Sequence, residues 1–118
     1  MHTQRSAWTL RAAVDDIDDA RARLAGEGGT RVVAARAALE RAIALLAIAA
    51  TDADLPDGMR DAAQRGRIVL SSHLLAADDL AEVGVGDEAV VSLLSRGLER
   101  TADEVRADGV CTEAPARN

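Results

Sequence analysis

A chain of 118 residues, 48% hydrophobic and 29% charged, is long enough for one core and too apolar for a disordered segment. Its net charge is −6, with 7 Arg against 9 acids over 1–59 and 7 against 11 over 60–118, so DNA and anionic membrane lack their usual electrostatic attraction. The single cysteine, Cys111, excludes an internal disulfide and a cysteine-based zinc site, and a cytoplasmic location is expected.

The periodicity predicts helices throughout and no strand alternation. The opening "MHTQRSAWTL" lacks the apolar core of a secretory signal. The first helix is expected from about Ser6 to Ala25, with Leu10, Val14, Ile17 and Leu24 on one face beside Ala13 and Ala20. "GEGG" (Gly26 to Gly29) should stop it through a left-handed glycine. The second helix is expected to start at Thr30 as N-cap and to reach about Ala50, with a stripe of Val32, Ala35, Leu39, Ile43 and Leu46. Its end, "AIALLAIAA" (Ala42 to Ala50), is apolar on every side but too short to span a bilayer.

"TDADLPDG" (Thr51 to Gly58) reads as a loop, with Asp57 capping a third helix that runs to about Val83. Its stripe is Met59, Ala63, Gly66, Leu70, Leu74, Ala77 and Ala81, and Gly66 is a candidate kink or break. "GVGD" (Gly84 to Asp87) is the next turn, with Asp87 as cap. The fourth helix, Glu88 to about Ala107, turns Val90, Val91, Leu94, Leu98, Thr101 and Val105 one way, and Ser92, Arg96, Glu99, Arg100, Asp103 and Arg106 the other. Four helices of similar length joined by short loops predict an all-α, antiparallel up-down-up-down four-helix bundle over 1–108, with a disordered tail over 109–118. The chain has no Phe, Tyr or Lys and one Trp, a bias that follows GC-rich codons, so its arginines do not by themselves imply phosphate binding.

Three patterns bear on chemistry. In "RGRIVLSSHLL" (Arg65 to Leu75), Arg67 and His73 are separated by five residues. This pair resembles the Arg-x4–6-His signature of the HEPN superfamily, metal-independent ribonucleases built as small helical bundles. The resemblance implies Arg67 and His73 as catalytic residues, paired across two protomers and promoting attack of an RNA 2′-hydroxyl on phosphate. Ile68 stands where a polar residue usually follows that Arg, and no Tyr follows the His. Helix geometry favours another reading: the two side chains lie about 120° apart, and His73 falls among Leu70, Leu74 and Ala77 as a core residue bonded to a backbone carbonyl. Asp52 and Asp54 fit the opening of a calcium loop, but Pro56 takes the third acidic position, Asp57 and Gly58 come one residue late, and Ala63 replaces the closing glutamate. The acid runs Asp15–Asp19 and Asp78–Asp79 follow polar faces and lack the Glu-x-x-His of di-iron bundles. No metal site and no cofactor is expected.

The remaining signal is surplus apolar surface. Leu45 and Ile48 on the second helix, and Ile68 and Leu75 on the third, lie off the main stripes. These four are the expected partner-binding residues of a non-enzymatic helical interaction module, a homodimer or the adaptor of a larger protein, held by helix-on-helix burial. The alternatives are the ribonuclease and a regulatory domain binding a small apolar ligand in voids of an Ala-rich core.

Overall fold

Periodic Ala, Leu, Ile and Val turn the four predicted segments into α1 (His2–Ala25), α2 (Arg31–Ala50), α3 (Asp57–Glu82) and α4 (Asp87–Ala107). The computed structural model describes residues 2–26, 30–84 and 86–107, without the side chains of 2–7, 106 and 107, and no strand occurs among them. The predicted tail over 109–118, Cys111, Gly28, Gly29 and the proposed domain limit at 108 lie outside the described residues.

The core is built from small and medium side chains. Leu10, Ile17, Leu39, Leu46, Leu70, Leu98 and Val105 are its largest fully buried apolar members, with Ala13, Ala20, Ala35, Ala38, Ala42, Ala49, Ala63 and Ala102 between them. Alanine favours helix and adds little girth, so the helices approach closely. α2 lies between α1 and α3 and packs along both, which absorbs much of its all-round apolar end. α3 packs along α4, whereas α1 touches α4 far more sparsely. Arg36 and Leu46 of α2 lie against Asp78 and Gly66 of α3, so position rises along one helix as it falls along the other. The same order relates α3 to α4, where Arg65 meets Glu104 and His73 meets Gly97.

Several local expectations need correction. Thr30 makes no side-chain cap; its carbonyl takes the Ala34 amide at 3.0 Å. Arg31 organises that end instead. Its guanidinium donates to the Gly26 carbonyl and to Glu88, both at 3.1 Å, tying the end of α1 to the start of α4. Gly26 is not left-handed; its amide closes α1 on the Arg23 carbonyl at 3.2 Å. Asp57 and Asp87 are the first residues inside their helices rather than caps. Both still favour the N-terminal turn, where negative charge suits the helix dipole. Leu55, in the middle of the supposed loop, is buried and plugs the core. The α3–α4 turn does use left-handed glycines, Gly84 at φ 76° and Gly86 at φ 97°. α3 is one helix through Gly66 rather than two, and Ala81, expected in its buried stripe, is exposed.

Candidate functional site

α3 has two distinct long faces. Inward, Ala63, Gly66, Leu70 and Ala77 are buried. A Cβ on Gly66 would stand 3.0 Å from the Thr101 methyl and 3.4 Å from a Val105 methyl, so the missing side chain lets α4 seat against α3. Gly97 on α4 answers it, because a Cβ there would meet Cγ and Cβ of His73 at 2.6 and 2.7 Å. Two glycines therefore form reciprocal notches that fix how α3 and α4 slide along each other. Thr101, fully buried between them, satisfies its hydroxyl by donating to the Gly97 carbonyl at 2.8 Å.

Outward, Ile68 and Leu75 are 49% and 67% exposed. Seven residues put them within about 20° of one line along the helix. Arg65 reaches α4 by donating to Glu104 at 2.7 Å, and Asp78 reaches α2 by accepting from Arg36. Ile68 and Leu75 lie about 60–80° from each of these two flanks, near the centre of the outward face. Ser71 and Ser72 separate them, small residues that let another backbone come near. The Asp78 hydrogen bond also raises the pKa of Arg36 above its ordinary value. A guanidinium is charged throughout the working pH range, so this shift changes no protonation of Arg36 there.

The other two expected contact residues do not join this stripe. Leu45 is half-buried against the core, so it offers a partner little surface. Ile48 is 57% exposed but lies within about 20° of Arg41 around α2. Arg41 leans to α1, where Asp16 accepts its hydrogen bond at 3.4 Å and Asp19 pairs with its charge at 3.6 Å, so Ile48 belongs to the α1 side of α2. Trp8, Val33 and Val83 are also exposed, and the sequence reading passed over Trp8 and Val33. Their position off the buried stripes was the available signal.

Arg67 and His73 have separate partners. Arg67 donates through Nε to Gln64 at 3.1 Å. His73 is half-buried with its ring on Gly97, and Nδ1 lies 2.9 Å from the Val69 carbonyl. A carbonyl only accepts, so Nδ1 donates in this hydrogen bond. The pocketed ring thus performs a packing task that the HEPN resemblance does not include.

Two hollows flank the bundle. A pit of about 160 Å³ between the start of α2, the end of α3 and the start of α4 is lined mainly by Val32, Leu74, Ala77, Val90 and Leu94, with Arg36 and Asp78 among its walls. A more open cleft of about 420 Å³ runs between Asp18, Arg21 and Ala22 of α1 and Ser95 and Glu99 of α4. Among the described residues no three His, Cys, Asp or Glu converge as a metal site. In the calcium-like loop, Asp52 Oδ1 accepts the Asp54 amide at 2.9 Å, closing a local turn. No described helix is long and apolar enough to cross a membrane. No family model matches this chain, and neither a curated protein nor a solved structure matches it.

Proposed function

We propose that this chain is a non-enzymatic, cytoplasmic interaction module that works by laying the outward face of α3 against another helix. The observation that carries the reading is the joint exposure of Ile68 and Leu75 on one line of α3, flanked by small serines. Each large apolar side chain moved out of water contributes about 1.5–3 kcal/mol, so covering both favours association. Leu45 takes no part in this reading, and Ile48 is at most a separate contact.

The test is Ile68→Glu/Leu75→Glu, compared with wild type for solution mass and for proteins co-purified from source cells. Loss of an assembly with helical content unchanged supports the reading. An unchanged mass together with unchanged co-purifying proteins overturns it. A second reading, binding of a small apolar ligand, draws on the apolar pit beside Leu74 and Val90. Benzene-sized ligands suit cavities near 150 Å³. A rise in melting temperature with benzene, lost in Ala77→Leu, supports that reading, and no rise removes it.

A further inference from the structure

We infer that the partner of the α3 face is a second copy of this chain, with the two α3 helices antiparallel about a two-fold axis level with Ser71 and Ser72. This inference rests on the interaction reading above and names its partner. Its basis is that the outward stripe of α3 is complementary to its own reverse. Along the chain the stripe reads Arg65, Ile68, the two serines, Leu75, Asp79. Ile68 and Leu75 are equally distant from the Ser71–Ser72 midpoint, so a two-fold axis there sets Ile68 of each copy beside Leu75 of the other. The serines come where the helices cross, and their small size permits close approach.

The charges agree with this arrangement. Asp79 is exposed and lies about 40° from Arg65 around α3, on the same α4-facing flank. A two-fold axis between side-by-side helices keeps each flank with its like, so Arg65 of one copy faces Asp79 of the other. Arg65 holds Glu104 at 2.7 Å and its side chain is about half exposed. Parallel, in-register pairing puts the two Arg65-bearing flanks on opposite sides of the seam and leaves Arg65 and Asp79 about 21 Å apart along it, so it offers no such charge pairing. Antiparallel pairing does bring Asp61 towards Glu82, two exposed acids. They lie roughly 16 Å from the axis at 1.5 Å per residue, where crossing helices have diverged. The seam is therefore about four turns long, and a self-complementary patch repeated on both subunits is the hallmark of an isologous dimer. Two apolar residues per copy make a small interface, so the dimer is weak and concentration-dependent.

The experiment uses the full chain. Sedimentation should show a monomer–dimer equilibrium, and Ile68→Glu/Leu75→Glu should be monomeric with unchanged helical content. Asp79→Arg should weaken the dimer roughly three- to tenfold, and Arg65→Asp added to it should restore the dimer. Register is read by oxidative crosslinking on a Cys111→Ser background. Ser72→Cys, beside the axis, should form a covalent dimer. Asp79→Cys should not, because its two copies lie roughly 22 Å apart along the paired helices. Equal crosslinking at both positions indicates parallel pairing and overturns the inference. So does a dimer that survives Ile68→Glu/Leu75→Glu. A wild type that is monomeric at every concentration also overturns it. If that monomer still loses a different protein partner on Ile68→Glu/Leu75→Glu, the interaction reading survives while the second copy does not.

Discussion

α4 has two seams, and they are built differently. Against α3 it is notched: Gly97 receives His73, Gly66 receives Thr101 and Val105, and Arg65 is held by Glu104 at the rim. Against α1 it leaves an open cleft between Ala22 and Ser95. One seam is specified by shape, where a single added carbon is felt; the other tolerates a gap wide enough for solvent. The contrast teaches where this Ala-rich protein concentrates its specificity. With no Phe or Tyr in the chain and Trp8 exposed, glycine notches supply the register.

The sharpest way to break that contrast is Gly97→Ala. The new Cβ falls 2.7 Å from the Cβ of His73, an atom fixed to the α3 backbone, so the helices must separate. Overpacking of this kind costs about 1–3 kcal/mol, against which alanine returns about 1 kcal/mol of helix propensity. A net loss of up to about 2 kcal/mol is expected in urea unfolding. His73→Ala removes the ring atoms but keeps its Cβ, so the double variant should recover part of the loss, with a coupling of about 0.5 kcal/mol or more. A fully additive double variant shows that the notch is not what holds the seam.

A smaller effect is expected at the end of the bundle, where the loose seam is tied. The Arg31 side chain is only 19% exposed and bridges Gly26 and Glu88, while its Nε is buried without a partner. Arg31→Met keeps most of the aliphatic bulk, removes that orphan donor and loses two hydrogen bonds. The lost bonds are worth about 0.5–1.5 kcal/mol each, and relief of the orphan offsets part of this. A destabilisation of about 1 kcal/mol is expected, with faster amide exchange at the start of α4 than in wild type. Exchange that quickens equally in α3 indicates that the two seams open together.

Much of this was legible in the sequence because it depends on one helix at a time. The stripe Leu10, Val14, Ile17, Leu24 is buried as the 3.6-residue period requires, and so is Val90, Leu94, Leu98, Val105. The outward position of Ile68 and Leu75 follows from the same arithmetic. What could not be read depends on two elements at once. Gly66 suggested a break because an isolated helix dislikes glycine, and only α4 gives that glycine its use. Gly97 gave no signal until His73 was placed against it. Leu45 looked surplus because α2 is apolar all round, and its burial required knowing that α1 and α3 flank that helix on both sides. Thr30 had the right chemistry for a cap, but its backbone, at φ −97° and ψ 1°, does not aim the hydroxyl at the helix amides.

The mildest test probes the loose seam directly. Ala22 is exposed and borders the cleft that separates α1 from α4. Ala22→Leu places three extra carbons there. In a notched seam, such an insertion would force the helices apart. Here open volume lies beside the new side chain, and Leu is nearly as good a helix former as Ala. Partial burial against Leu24 and Ser95 gives a small gain, and ordering the longer side chain takes a similar amount back. The stability change should stay within about 0.5 kcal/mol, as for other surface substitutions. A loss comparable with that of Gly97→Ala means that α1 and α4 close on each other in solution. The two faces of α4 are then equally keyed, and the register is set by the whole bundle rather than by the α3–α4 pair.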